Sequence, residues 1–459
     1  MSDRSHFSET MAALTSVISQ PVSTVPQVPG LPLIGNLIAF RRDRLALQDS
    51  AARVGPIARV MLMHIPIYFV TDAGLAQEVL ADNPTSFKKT IGIQFLRPML
   101  GDDLLLAEGE THKRHRKLLA PAFAPKRLEK YGEIMVDETE KQLARWRHGQ
   151  RLELAQEMME MTLAIAGKTM FGADVRGDAA QVSEALELGM RAQKAYIGAP
   201  IPVGNNWPLP RNRQMRRAVK LLDEVVYRLI AEGRARGTDR GDVLSILLLA
   251  RDEEGGLTDA QVRDEVMTLL LAGHETTANA LTWTWYELGR HPDVLAKLAM
   301  ELEPLGKRAV TVDDLARLPF NLAVIEEAMR LHPPVYMTAR EAIEDIDIGG
   351  HRLPKGAIVG VNVRGIHRRA DYYPAPEAFL PERMLPDAKK ARPRQHYMPF
   401  GAGPRICIGS HFALLEAQLA LATMVQRARL RMLATHVTPE PLVTLRPRGG
   451  MPAVVELRS

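Results

Sequence analysis

The sequence predicts a mainly α protein with a minor β part, folded as one large unit. Three observations carry this. From about residue 110 to 335, apolar residues recur at helical spacing with few breaks. On either side, IARVMLM with IYFVTD, and later EDIDIGGHRLPKGAIVGV, combine β-branched residues with turn signals and read as hairpins. The 459 residues contain no internal repeat, low-complexity run or long polar linker. A length that suits about three average domains is therefore not divided.

The elements follow in order. Residues 1–25 are expected to be a flexible segment ahead of a single domain over 26–459. Asp3 and Glu9 stand where a signal peptide carries only positive charge. Pro21, Pro26, Pro29 and Pro32 punctuate an extended lead-in, VPGLPLIGN. The first hairpin and a long helical region come next. That region is interrupted chiefly by AYIGAPIPVGNNWPLP, an apolar Pro/Gly-rich connection. LTDAQVRDEVMTLLLAGHETTANALTWTWYELGRHP predicts a helix over 259–290, with Thr258 and Gln261 as a capping box and Pro292 as its end. At 1.5 Å per residue it would be about 48 Å long and hence central. After 335 come the second hairpin, a long helix from Ser410, and short strands in LVTLRP and AVVELRS.

Composition narrows the function. The net charge of +5 and pI of about 9.2 suit an acidic protein partner and, as a mild excess spread over a long chain, are only weak evidence for nucleic acid, so no nucleic-acid partner is expected. The most apolar stretch, VMTLLLAGHETTANALTWTW, carries His, Glu and threonines, so it reads as a buried helix and not a transmembrane anchor. One cysteine excludes an intramolecular disulfide and any zinc site needing two thiolates. A cytoplasmic monomer is expected.

The middle of the central helix is unusual. Gly273 costs about 1 kcal/mol of helix propensity against alanine. Thr276 and Thr277 can bond back to preceding carbonyls and open the helix. Glu275 beside Thr276 is a candidate proton relay. The alternative is a helix crossing at small residues with Glu275 paired to a base. HETTA lacks the second histidine of H-E-x-x-H, since Ala278 stands there, so a zinc protease is excluded.

FGAGPRICIG, residues 400–409, holds the lone cysteine. Gly401, Gly403 and Gly409 permit unusual backbone conformations and the close approach of a flat ligand. With Ser410 capping the following helix, Cys407 lies near a helix N-terminus, where Arg405 and free amides favour thiolate. A thiolate there is a nucleophile or a metal ligand. With a single protein ligand, the metal reading points to a macrocycle.

FGAGPRICIG resembles the F-x-x-G-x-R-x-C-x-G loop of the cytochrome P450 family, the haem-thiolate monooxygenases. AGHETT resembles that family's A/G-G-x-D/E-T-T motif, Glu327-Ala-Met-Arg330 its E-x-x-R helix, and FLPERM its arginine segment. His112 to Arg116 resembles its haem-contacting helix, and PGLPLIGN its proline-rich lead-in. The resemblance covers roughly 25–455. It implies the cytochrome P450 fold, with a long central helix over a haem b and the cysteine loop on the opposite haem face.

By resemblance, Cys407 is the iron's axial ligand and Phe400 shields it, with Gly401 and Gly409 admitting the porphyrin. His112, Arg116, Arg340 and Arg405 supply cations for the propionates. Glu327, Arg330 and Arg383 form a structural triad, with Met384 replacing the usual aromatic. Glu275 and Thr276 bind dioxygen and supply protons. The implied reaction inserts one oxygen atom into a lipophilic fatty acid, terpenoid or polyketide-like molecule, by hydroxylation or epoxidation. Its pocket would be lined by Ile91, Phe95, Leu271, Ala272, Val335, Met337 and Met451, with AYIGAPIPVG as a lid. The sequence has no flavin module or cysteine cluster, which implies a separate ferredoxin or flavodoxin with its reductase, docking near Lys113, Arg114 and Arg405. A non-catalytic haem-binding sensor or carrier is the alternative. It would need the cysteine loop but not the Glu275–Thr276 pair.

Overall fold

The computed structural model describes residues 25–197, 207–252 and 255–458. The expected flexible segment, Val25 apart, and the lid beyond Ile197 lie outside the described residues. The central helix runs Asp259–Arg290, as its pattern requires. Thr258 Oγ1 accepts the Gln261 N–H while the Gln261 side chain accepts the Thr258 N–H at 2.9 Å. Against it pack the helices Leu154–Phe171, Pro210–Arg236, Pro319–Leu331 and Ser410–Arg427. Its residues from Ala278 to Leu288 are buried all round, Trp283 and Trp285 completely. A helix covered on every side lies in the core, its polar Asn279, Thr282, Thr284 and Glu287 included.

The β part forms a five-stranded sheet in the order Ile57–Leu62, Ile65–Val70, Ile358–Val361, Thr338–Ala342, Phe87–Lys88. The first hairpin is as expected, Ile57 facing Val70 and Leu62 facing Ile65. The second is divided. Ile346–Ile348 pairs with His351–Leu353 across Gly349-Gly350, while Ile358–Val361 leaves to run parallel to Ile65–Val70. Pro354 cannot donate to a ladder, and Gly356 at φ +84° turns the chain away. The strand Thr338–Ala342 alternates, so Arg340 points inward with Ala342.

At the C-terminal end, Pro439–Pro441 pairs with Leu445–Pro447, and Pro452–Leu457 lies between Ala428–Met432 and Arg151–Glu153. Gly449 and Gly450, at φ +76° and +88°, separate the two pieces. The hairpin that reaches the central helix is therefore 439–447. Met451, expected in the pocket, lies beyond the turn, fully buried, with its O accepting the Leu154 N–H at 3.0 Å.

Candidate active site

The cysteine loop is held at each end. The Cys407 N–H donates to Phe400 O at 3.0 Å, and the Arg116 guanidinium donates to Ile406 O at 2.8 Å. Gly403, at φ +69°, rests on the π-turn Glu78–Asp82. A Cβ there would come within 2.1 Å of Leu80 O, so no other residue fits. Gly409 has no such need, since its φ is −90° and a Cβ would meet only Phe123 at 3.6 Å. Gly409 is the N-cap and Ser410 the first helical residue, with no side-chain cap.

Protein encloses Cys407 on most sides, yet its side chain keeps an open face. Burial pushes its thiol up, against the pull of the Gly409 N–H and Arg116. The expected lowering by Arg405 does not occur because Arg405 turns elsewhere. It donates to Ala107 O at 2.8 Å and pairs with Glu108.

Around Arg405 gather Arg340, His112, Arg116 and Lys89. Arg340 is buried, donates among the described residues to Thr338 Oγ1 and Ala339 O, and is held down to about 10 by burial and by Arg405. Burial and its cationic neighbours hold His112 down to about 4, which favours the neutral imidazole where the resemblance implies a cation. Lys89 was not singled out by sequence. Burial, Arg340 and Arg405 depress it to about 7. Among the described residues, Glu108 is the carboxylate that pairs with this cluster.

Glu327, Arg330 and Arg383 lie together. Arg330 and Glu327 are completely buried and meet in a two-pronged pair at 2.8 Å, with Arg383 Nε 3.2 Å from Glu327. Arg330 also donates to His367 O, Pro376 O and Ala378 O. Burial and Arg330 hold His367 down to about 3, so its Nε2 is free to accept the Met398 N–H at 2.9 Å. Met398 O then accepts the Gly401 N–H. The triad thus fastens the cysteine loop through His367, which sequence reasoning missed. Met384 is buried in the same region beside Tyr373.

In the central helix, Thr276 Oγ1 bonds back to Ala272 O at 2.7 Å and Thr277 Oγ1 to Gly273 O at 3.4 Å. Ala272 is exposed and Thr276 half-buried between fully buried neighbours, so this turn fronts an opening. Gly273 crosses Met170, whose Cε would be 2.8 Å from a Cβ. Glu275 is buried and accepts from Arg446 Nε at 2.9 Å and from the Thr444 hydroxyl. The helix crossing and the paired acid coexist. Arg446 and Thr444 carried no motif and were missed.

Of the other pocket residues, Ile91, Val335 and Met337 keep accessible surface, while Phe95, stacked on Tyr196 at 4.0 Å, and Leu271 are nearly covered. Of the expected docking residues, Lys113 is exposed, Arg114 is engaged by Asp252 at 2.8 Å and Arg405 faces inward.

The family model for cytochrome P450 matches residues 26–451. The chain belongs to the cytochrome P450 family. Among the similar proteins, cyclooctatin synthase of Streptomyces melanosporofaciens is 36% identical, covering 91% of this chain and 92% of that one. Cyclooctat-9-en-7-ol 5-monooxygenase of the same organism is 35% identical over 95% and 96%. Pentalenene oxygenase of Streptomyces avermitilis is 32% identical over 94% and 95%. This P450 is a haem-thiolate monooxygenase, an oxidoreductase that incorporates an oxygen atom from dioxygen. Its side chains fit the haem: one open-faced thiol stands beside a crowd of cations with a single carboxylate. Burying such a crowd is costly without anions, and the two propionates of a haem would supply them.

Proposed function

We propose that this P450 oxidises a cyclic terpenoid, by hydroxylation or epoxidation, using haem b and electrons from a separate ferredoxin or flavodoxin with its reductase in the cytoplasm. The observation that carries the site assignment is the Lys89–Arg340–Arg405 crowd, joined to the Cys407 loop through Arg405 itself and through Arg116. Cys407 would ligate the iron, and a metal takes up a raised thiol as thiolate outright. Arg340, Arg405, Arg116, Lys89 and the neutral N–H of His112 would hold the propionates. Phe400, packed on the helical core, shields the sulfur from water.

Bound haem supplies dioxygen activation and the oxygen insertion. The chain's own part is to hold and move protons. Thr276 Oγ1 stands at the opening as donor and acceptor, and Glu275, one residue back, holds the charge that Arg446 balances. Ile91, Ala272, Val335 and Met337 offer the apolar wall that a hydrocarbon ring system needs. The terpenoid class rests on the three Streptomyces relatives, two of which are named for the oxidation of cyclooctat-9-en-7-ol and pentalenene.

The test is spectroscopic. Reduced protein with carbon monoxide should show the red-shifted thiolate Soret band, and folded protein without it refutes the site. In a lipophilic panel, cyclic terpenes should shift the spin state at lower concentration than fatty acids. The reverse order would move the substrate class.

A further inference from the structure

A cluster of buried titratable groups outside the proposed chemistry lies between the loop 101–108, the helix Gly109–Leu119 and the first turns of the central helix. Asp103 is wholly buried. Its Oδ1 accepts the Leu106 N–H at 2.8 Å and its Oδ2 meets the Thr268 hydroxyl. Glu265, equally covered, accepts the Leu104 N–H at 2.9 Å and lies 2.7 Å from His115 Nδ1. Neighbouring side chains add to the seam: Asp264 accepts the Asp102 N–H at 2.9 Å, and Arg263 donates to Met99 O. Glu265 Oε2 and His115 Nε2 are buried without a hydrogen-bond partner among the described residues. The same loop ends in the cation cluster, where Ala107 O and Glu108 hold Arg405 and Glu108 accepts the Lys89 N–H at 2.6 Å.

We infer that Asp103, Glu265 and His115 form a proton-held latch that fastens the loop 101–108 to the central helix and so keeps Ala107 and Glu108 on Arg405. These are positioning residues, acting on the haem seat through Arg405. The groups facing Asp103 are Glu265, Asp264 and Thr268 from the central helix, His115 behind Glu265, and Lys89 from the strand side. Burial, with Glu265 and Asp264 adding to it, raises Asp103 to about 8, against the Leu106 and Leu105 amides. At neutral pH Asp103 is therefore protonated and shares a hydrogen bond with Thr268 without a buried charge.

When the loop opens, Asp103 becomes an ordinary carboxylate and releases its proton. A carboxyl raised in the closed form stabilises closure most at low pH and loses that stabilisation as pH rises toward its closed-state value. The open fraction therefore climbs about tenfold per pH unit up to about pH 8 and then levels.

The experiment is amide hydrogen exchange on the holoenzyme between pH 6 and 8, corrected for intrinsic rates, for the parent and Asp103→Asn. Asparagine keeps an acceptor for Leu106 and a partner for Thr268 but cannot ionise. In the parent, protection of the Leu104, Leu106 and Ala107 amides should fall about tenfold per unit, whereas in the variant it should stay flat. Transfer of haem to an excess of apo-globin should quicken with pH in the parent and not in the variant. PH-independent protection in the parent, which is readable whether or not the variant folds, overturns the latch. So does an equal slope in Asp103→Asn. The haem-transfer arm rests on the propionate assignment and the exchange arm does not. Sloped protection with pH-independent transfer would remove the link to the haem seat alone.

Discussion

At Glu275 a carboxylate is almost wholly covered, and its charge is met by Arg446 and not by solvent. Thr276, its neighbour, bonds back to Ala272 O within its own helix and is half-buried. The two positions therefore separate structure from chemistry. Thr276→Ala should leave the melting temperature nearly unchanged, a shift of about 0.5 kcal/mol or less. It should still lower product formed per dioxygen consumed, by about 10²-fold if the hydroxyl takes part in proton transfer. Lys89 gives a second prediction at this scale. Its depressed value near 7 means that, without haem, the unfolded chain binds more protons than the folded one between about pH 7 and 10.5. The haem-free parent should gain stability from this residue as pH rises through that window, and Lys89→Met should lack that gain. Thermal unfolding of both haem-free proteins at pH 7 and pH 9 measures it.

Among the elements, the helix Pro319–Leu331 and the segment after it are joined by Arg330, which serves Glu327 and three carbonyls. Arg330→Leu would leave the buried Glu327 with only the looser Arg383 contact for its charge, at a cost of about 3 kcal/mol. Urea unfolding should show that loss, and haem content should fall with it because His367 and Met398 pass the constraint to Gly401. Sequence showed the pair, since i and i+3 share a helix face, and it showed the central helix to the residue, because caps and period coincide at Thr258 and Pro292. It did not show His367 or Arg446, whose partners lie 37 and 171 residues away with no local pattern linking them. It did not show the downward push on His112 or the upward push on the Cys407 thiol, because burial acts on a side chain from all directions and a sequence records only its chain neighbours. The full burial of Met451 beside Leu154 was not legible either, because the turn at Gly449-Gly450 takes its direction from backbone angles.

Over the whole molecule, a helical body and a smaller sheet part each deliver some of one site. Arg340 comes from the sheet, Cys407 from a loop, His112 and Arg116 from one helix, and Glu275 from another. Among the described residues no helix is long and apolar enough to cross a membrane, and Trp283, hydrogen-bonded to Leu445 O at 2.9 Å, ties the longest helix to the last hairpin. That tie bears on the order of synthesis. Glu275 is made early, but Thr444 and Arg446, which neutralise it, leave the ribosome some 170 residues later. Until then the growing chain carries a core helix with an unmatched acid, and domains form from the N-terminal side as they emerge. Haem capture should consequently be a late event. Nascent chains arrested before Pro439 should give no thiolate signal with carbon monoxide, although Cys407 is already present, whereas chains released after Leu457 should.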